Sequence, residues 1–291
     1  MKSNRFVVCV LVPAFLLMSV FLIAPLFLGL GISLFDYNPL NAHSPFVGLA
    51  NYQRLLADPL FWSSTGRTVL FVAVAAGINI MLSLLLAQLI SALPWSKARA
   101  AFRTVLFLPC VAPLVGSAVV WRSGIMVTKN GMLNELLGLF GIPAVNWLGN
   151  ADVVMFSLVL FTLWADVGYN VVLFCAGIDG IPTDFAEAAE IDGANAVQRF
   201  FKITLPLLGR TFAFTLMMTL IGYFQAFVQF MQLAQRGGPN NASTVLPLYI
   251  YKLGFMNNDM GYASAVAMAL FVIILAVTTV QRRLNRVDWG Y

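Results

Sequence analysis

The sequence predicts an all-α membrane protein with six transmembrane helices, and two observations lead to that fold class. Of the 291 residues, 60% are hydrophobic and only 10% are charged, whereas soluble domains carry roughly 25% charged residues. Six apolar segments are also long enough to span a bilayer, which takes about 20 helical residues. They are residues 6–34, 68–93, 104–121, 153–178, 211–235 and 262–281. Each should be helical because unpaired backbone amides are costly in hydrocarbon.

The first segment could also be a cleaved signal peptide, since Lys2 and Arg5 precede it. Its apolar run is much longer than the roughly 7–15 residues of a signal peptide, and no A-x-A cleavage site follows. We therefore expect an uncleaved transmembrane helix. The third segment contains Pro109 and Pro113, which predict a kinked or tilted helix.

The distribution of basic residues predicts how the helices are oriented. One side of the membrane would carry Lys2, Arg5, Lys97, Arg99, Arg103, Arg199, Lys202, Arg210, Arg282, Arg283 and Arg286. The opposite side has fewer, spread over longer connections, namely Arg54, Arg67, Arg122, Lys129, Arg236 and Lys252. The positive-inside rule then places the first group and both termini in the cytoplasm. We expect the outer connections, residues 35–67, 122–152 and 236–261, to form short interfacial helices and turns.

The residue types argue against several functional classes. Cys9, Cys110 and Cys175 lie in apolar segments, and His43 is the only histidine, so we expect no disulfide framework and no metal site. The basic residues lie at the ends of the apolar segments and not in one patch, which disfavours nucleic-acid binding. No G-x-x-x-x-G-K-[ST] motif occurs, so any ATP hydrolysis must come from a partner. No catalytic residues are expected.

A charged segment at residues 182–206 stands out between the fourth and fifth spans. Asp184-x-x-Glu187 has the spacing of a capping box, and Ala188 and Ala189 favour a helix with little bulk. Gly193 should end that helix in a left-handed conformation. A second helix should run over about residues 196–204, and Pro206 should end it. An ordinary capped cytoplasmic loop would explain the capping and the charges, but not why so apolar a chain keeps a two-helix element with a small-residue face.

The spacing of this segment resembles the EAA loop of ABC-importer permeases. The matching positions are Glu187, Ala188, Ala189, Gly193, Ile203, Leu205 and Pro206, and Asp192 lies among them. In that family the loop docks into a groove of the ATP-binding subunit. By resemblance, Glu187 would be a polar anchor, Ala188 and Ala189 a close-packing face, and Gly193 the turn.

Further segments resemble the carbohydrate-type members of the same family. They are Phe46-Val47-Gly48-Leu49, Asn51-Tyr52, Asp58 to Trp62, Asn130-Gly131, Trp147-Leu148, Asp192-Gly193-Ala194 and Gly237-Gly238-Pro239. The resemblance implies a type I importer permease fold in a bacterial inner membrane. The expected division of the chain is 1–66 for the first helix and loop, 67–282 for the permease core, and 283–291 for a cytoplasmic tail.

The same resemblance implies several partners. They are a second related permease, two ATP-binding subunits that hold ATP and Mg²⁺, a periplasmic or lipid-anchored solute-binding protein, and membrane lipid. The chain itself would bind no cofactor. The cargo would be a sugar, an oligosaccharide or a sugar derivative, with glycerol 3-phosphate or a related polyol as the alternative. An ion-coupled carrier or channel is disfavoured because no internal repeat is evident, and an intramembrane enzyme because nucleophile clusters are missing.

Polar residues inside the fourth and fifth spans are candidates for the solute pathway. Asp166, Tyr169 and Asn170 share one face of the fourth helix by their spacing, and Asp166 could equally have a structural role. In the fifth span, Gln225, Gln229 and Gln232 recur at i, i+4 and i+7, which predicts a polar stripe suited to sugar hydroxyls. Tyr169, Tyr223 and Phe227 are candidates for stacking on a sugar ring. The alternative is that these groups only hold helices together.

Overall fold

The computed structural model describes residues 2–41 and 43–284, and within them the chain is almost entirely helical. The predicted all-α class is confirmed: extended pairing in these residues is limited to a bridge between Phe35 and Phe46. Residues 285–291 of the predicted C-terminal tail, including Arg286, lie outside the described residues, and so does Met1 at the other end of the chain.

Fifteen α-helices are formed by the described residues. In order, they are α1 Lys2–Met18, α2 Ala24–Ile32, α3 Ala50–Ala57, α4 Pro59–Ser91, α5 Ser96–Val111, α6 Leu114–Val120, α7 Met132–Leu139, α8 Val154–Asp179, α9 Thr183–Ile191, α10 Ala196–Arg199, α11 Leu205–Leu207, α12 Gly209–Phe224, α13 Val228–Gln232, α14 Leu246–Tyr251 and α15 Met260–Leu284. Wider π-helical turns occupy Ser19–Ile23, Trp121–Ile125, Phe200–Thr204 and Lys252–Met256.

The predicted spans are found, with corrections to their ends. Five helical segments of the described chain are long and apolar enough to cross a membrane, and a bent pair would make a sixth. The second predicted span corresponds to α4, which begins at Pro59 and not near Thr68. Arg67 therefore lies inside α4 and not in a loop. Short helices occur in each predicted outer connection, as expected: α3, α7 and α14.

The third span is broken where the sequence predicted a kink. Helices α5 and α6 meet at an angle of 91°, and Ala112 between them is extended, with φ −68° and ψ 138°. Pro113 follows, and a proline disfavours helical backbone at the residue before it. Pro109, by contrast, is accommodated inside α5. One proline therefore separates the two helices, and the other does not.

The described chain divides into two compact units. The first comprises the residues up to Ser64 together with Tyr249–Ile273. The second comprises Thr65–Leu248 and the residues from Ile274 onwards.

Within the first unit, a polar cluster surrounds Asp58. The carboxylate accepts hydrogen bonds from the hydroxyls of Tyr249 and Tyr262. Arg54 lies 4.0 Å above the Tyr262 ring and pairs with Asp259 at 2.7 Å. Burial opposes ionisation of Asp58, but these hydroxyls and nearby backbone amides outweigh it, so the pKa of Asp58 is lowered from its usual value. The cluster thus joins α3, α14 and the start of α15.

In the second unit, α8 is the central helix. About 61% of its apolar stretch is buried, against at most 39% for the other candidate spans. Gly168 of α8 allows α5 to approach closely: a Cβ placed there would lie 1.8 Å from the carbonyl oxygen of Leu106. Phe174 and Cys175 continue into a core shared with α4 and Leu208. This packed framework holds the polar residues of α8 in place.

Candidate functional site

A cavity of about 540 Å³ opens within the second unit, between α5, α8, α12 and α13. Seven of the eight predicted pathway residues line it: Asp166, Tyr169, Asn170, Tyr223, Gln225, Phe227 and Gln229. Cys110 and Thr219 also line it. The eighth predicted residue, Gln232, does not. The predicted polar residues of α8 and those of the fifth span, which are more than fifty residues apart in sequence, therefore line the same cavity.

A buried hydrogen-bond network forms one side of the cavity. Asn170 is buried, and its Nδ2 donates to Asn79 Oδ1 at 2.7 Å and to Thr219 Oγ1 at 2.9 Å. Asn79 Nδ2 donates in turn to the Tyr223 hydroxyl at 2.7 Å. Ser83 Oγ donates to Asn79 Oδ1 at 3.0 Å. The network joins α4, α8 and α12, and because its members satisfy one another it fixes this side of the cavity.

Asn79 is the central residue of this network, and the sequence interpretation missed it. It is fully buried and contacts three of the groups around it. A signal was present, since Asn79 is the only asparagine in the predicted second span. Polar residues inside a membrane span are generally paired or functional.

Tyr223 is not available for stacking on a sugar, which corrects that prediction. Its side chain is only 5% exposed, and its ring packs 5.8 Å from that of Phe71. Its hydroxyl accepts a hydrogen bond from Asn79 Nδ2 at 2.7 Å. Tyr169, which is 45% exposed, and Phe227 remain the aromatic groups open to a solute.

The predicted glutamine stripe on one continuous helix is wrong. Helix α12 ends at Phe224, the backbone turns through Gln225, and α13 begins at Val228 and ends at Gln232. Non-helical backbone at membrane depth is tolerated where it lines a cavity, and this break does so. No proline lies in the break, so the local sequence carried no strong sign of it.

The three glutamines consequently have different surroundings. Gln225 is exposed, and its side chain makes no hydrogen bond to the described residues. Gln229 is buried and its Nε2 donates to Thr162 Oγ1 at 3.4 Å. Gln232 lies outside the cavity lining, and its backbone carbonyl accepts from Arg122 at 3.3 Å. Gln225 is therefore the amide best placed to contact a solute.

Charge in the cavity comes from a single group. Asp166 is the one carboxylate among the described lining residues, and no lysine or arginine is among them. Elsewhere in the described chain, no group of three His, Cys, Asp or Glu side chains could hold a metal ion. The lining can hydrogen-bond hydroxyl groups and stack on apolar ring faces, but it offers no cation to an anionic solute.

The segment at 182–206 is a separate candidate site, and its first helix starts differently from the prediction. Helix α9 begins at Thr183 after Pro182, with no side-chain cap, so the Asp184–Glu187 capping box is not formed. The reason is that Pro182 occupies the capping position and leaves Asp184 inside the first turn. There its carboxylate can still interact favourably with the helix dipole.

The end of α9 agrees with the prediction. Gly193 has φ +77°, and its N–H donates to Glu190 O at 3.0 Å. The N–H of Ala194 donates to Ala189 O at 2.9 Å, which completes a Schellman motif. The left-handed backbone explains why glycine stands at this position.

The second helix is capped by residues that the sequence interpretation did not single out. Asn195 and Gln198 form a reciprocal capping box at the start of α10. Arg199 then pairs with Glu190 at 3.3 Å, which links α10 to α9. Pro206 does not end the helix at Leu205, because the preceding π turn accommodates the missing N–H and the helical backbone continues to Leu207.

The outward face of α9 carries Glu187, Ala188 and Ile191, which lie on one side at about 100° per residue. All three are exposed, and Ile191 is 87% exposed. Ala189 points the other way and is buried within the unit, so only Ala188 of the alanine pair can meet a partner. Asp192 is exposed beside Gly193.

Large apolar side chains are also exposed on α10 and the following π turn. Val197 is 64% and Phe201 is 60% exposed, while Ile203 and Leu205 are half-buried, and Leu205 packs against the core. Exposed apolar groups in a charged segment are candidates for an interaction surface. Their presence in the sequence was the signal that could have identified them.

Comparison with known proteins identifies the chain. Residues 79–287 match the family of binding-protein-dependent transport system inner membrane components. The chain belongs to this family. The permease is 34% identical to a probable ABC transporter permease, YurN of Bacillus subtilis, over 94% of this chain and 93% of the relative. It is 33% identical to the arabinooligosaccharide transport permease AraP of Halalkalibacterium halodurans, over 81% of this chain and 74% of the relative.

A solved structure shows the same fold. A chain of a bacterial alginate ABC transporter, in complex with a periplasmic protein that holds an alginate pentasaccharide, superposes with a TM-score of 0.84. The two sequences are 23% identical, and the superposition covers 98% of the permease and 95% of the alginate transporter chain. The permease is thus a multi-pass inner-membrane transport subunit and not an enzyme. In such systems it acts with other subunits, and ATP hydrolysis is carried out by a separate one.

Proposed function

We propose that the permease moves a sugar, oligosaccharide or sugar derivative into the cell by alternating access, in an ATP-driven importer. The observation that carries this proposal is the cavity in the second unit. Its amides, hydroxyls and two accessible aromatic rings suit a polyhydroxylated solute. The name of the AraP relative supports the carbohydrate class.

Glycerol 3-phosphate or a related polyol is the second candidate. A phosphate group needs cationic or multiple N–H donors, most often arginine or lysine. The described cavity lining has neither and contains a carboxylate, Asp166. A neutral sugar therefore fits this lining better than an anionic solute.

The proposed complex contains this permease, a second related permease and two ATP-binding subunits that use ATP and Mg²⁺. A periplasmic or lipid-anchored solute-binding protein would deliver the cargo from outside. The permease core would comprise residues 67–282. Both termini and residues 182–206 would lie in the cytoplasm, where the outward face of α9 docks into an ATP-binding subunit.

Two parts of the cavity would have different roles. The network of Asn79, Asn170 and Tyr223 is internally satisfied, so it would keep one side in place during transport. Tyr169 and Gln225, which are exposed to the cavity, would contact the solute. A fixed cavity wall combined with a few exposed solute contacts fits a site that must release its cargo.

Gln225→Leu tests the solute contact. This change removes hydrogen-bonding capacity from an exposed cavity residue with little change in volume, so we expect transport to fall about tenfold, the effect of one lost hydrogen bond to a neutral solute. The measurement is uptake of labelled solute by cells, with permease abundance in the membrane as the normalisation. Gln232→Leu is the matched control, since Gln232 lies outside the lining. Equal uptake by the two variants would contradict a solute contact at Gln225.

A cysteine-labelling experiment tests the orientation. With Cys9, Cys110 and Cys175 replaced by alanine, the exposed positions Ala151 and Ser96 accept cysteine with little change in size. We expect an impermeant maleimide to label Ala151→Cys in intact spheroplasts, and Ser96→Cys only after the membrane is opened. The reverse pattern would show that the positive-inside assignment is inverted.

A further inference from the structure

A second cavity in the second unit lies at the end of α4 and α8 where α9 begins. It has a volume of about 430 Å³ and is separate from the solute cavity, with which it shares no lining residue. Its polar lining consists of Gln88, Ser91, Arg99, Asp179, Thr183 and Thr204. These side chains come from the ends of α4 and α8, the starts of α5 and α9, and the π turn before α11.

Two of the lining groups are buried without a partner. Gln88 Oε1 and Ser91 Oγ have no hydrogen bond in the described structure, although neither atom is accessible to solvent. A buried polar atom left unpaired is costly, and both residues line the cavity. A glutamine amide can present either its oxygen or its nitrogen at such a position, and a serine hydroxyl can donate. If the two side chains turn towards the cavity, a polar ligand there would satisfy both groups.

The cavity lining carries one cation, Arg99, and one carboxylate, Asp179. The Arg99 guanidinium has no ion pair or hydrogen bond to the described residues. Arg103, one turn further along α5, pairs with Asp179 at 2.8 Å, and its Nε is buried without a partner. Two guanidinium groups therefore face one carboxylate. The uncompensated charge belongs to Arg99.

We propose that this cavity binds a phosphate group, with Arg99 as its principal ligand. Arginine presents N–H donors in a fork that matches phosphate oxygens, and Ser91 O–H and the Gln88 amide add donors from the neighbouring helix. The phosphate belongs to an anionic lipid headgroup or to a small soluble phosphate, which share this chemistry. Basic pockets between transmembrane helices at the cytoplasmic surface commonly bind lipid headgroups.

The position of the cavity suggests what occupancy would do. Thr183 and Ala186 of α9 form part of its lining, so a bound phosphate would connect the first turns of α9 to α4 and α5. The ligand would then stabilise the placement of the helix that docks onto the ATP-binding subunit. This role, and the assignment of the cavity to the cytoplasmic leaflet, rests on the proposed function; the binding itself does not.

Binding can be tested on the importer complex purified in detergent with the subunits that accompany the permease. Its thermal unfolding is measured while phosphatidylglycerol, phosphatidylcholine or inorganic phosphate is titrated in. We expect a saturable rise in Tm with phosphatidylglycerol and none with phosphatidylcholine. A rise with inorganic phosphate alone would identify a soluble phosphate as the ligand.

Arg99→Gln should weaken the apparent affinity for the effective probe about tenfold or more, the effect of losing a charge-assisted hydrogen bond. Arg99→Lys should restore part of it, because the charge remains without the fork. Lys97→Gln is the matched control: it removes one positive charge from the same first turn of α5, but Lys97 does not line the cavity. Unchanged affinity in Arg99→Gln, or an equal loss in Lys97→Gln, would overturn the proposal. An inverted orientation in the labelling experiment would move the site to the other leaflet without altering these affinities, so the two failures are distinguishable.

Discussion

Ala188→Trp is expected to abolish transport while leaving the permease folded. Ala188 is exposed on the outward face of α9, so the larger side chain meets no obstacle within the chain itself. If this face docks closely onto an ATP-binding subunit, overpacking the contact costs roughly 1–3 kcal/mol, which reduces subunit affinity about 5- to 150-fold. The measurements are co-purification of the ATP-binding subunits and ATP hydrolysis stimulated by the loaded binding protein in liposomes.

Ala188→Ser is the control, because it changes polarity at the same position with almost no change in size. It should retain both co-purification and stimulated hydrolysis. Gly193→Trp is a less specific test than Ala188→Trp, since Gly193 has φ +77° and any larger side chain there is strained before a partner is considered. If Ala188→Trp behaves like Ala188→Ser in both assays, this face of α9 is not the coupling surface.

Gly168→Ala is expected to prevent recovery of a folded permease. The new Cβ would lie 1.8 Å from the Leu106 carbonyl oxygen and 2.9 Å from Phe107 Cα, and both are backbone atoms that no rotamer change can move aside. Helices α5 and α8 would have to separate, which costs at least the roughly 1–3 kcal/mol of ordinary overpacking. Yield and Tm of the detergent-purified complex measure the effect.

Gly77→Ala provides the comparison for this experiment. Gly77 is also a helix glycine, in α4, but nothing lies within 4 Å of a Cβ placed there. Because alanine favours helix more than glycine does, yield and Tm should be unchanged or slightly higher. A Gly168→Ala complex with the yield and Tm of Gly77→Ala would show that α5 and α8 are not in close contact at Gly168.

Features that depend on composition or on short spacings were predictable. The apolar segments identified the all-α membrane class, because a run of about 20 apolar residues has few alternatives to a spanning helix. Within residues 182–206, Gly193 marked the end of α9 correctly, since a left-handed residue after a helix is a local requirement. The same local reasoning wrongly predicted a capping box between Asp184 and Glu187, because the helix starts after Pro182 and places Asp184 inside its first turn.

The candidate solute site was predicted only as two helix faces. Asp166, Tyr169 and Asn170 do share a face that lines the cavity, as their spacing indicated. The break after Phe224, however, separates Gln225 from the helical turn that holds Gln229. Such a break depends on the burial of the freed backbone against other helices, and no local residue signals it.

By itself, the sequence determined the membrane class, the approximate spans, and the helix and left-handed turn within residues 182–206, because each follows from the chemistry of neighbouring residues. Only the tertiary structure decided which polar side chains are hydrogen-bonded within the protein and which stay exposed at the cavity. Asn79 donates a hydrogen bond to the Tyr223 hydroxyl across 144 positions of sequence, whereas the Gln225 side chain stays exposed at the cavity. The physical reason is that a buried polar group must find a partner, and which partner it finds is set by how distant helices pack.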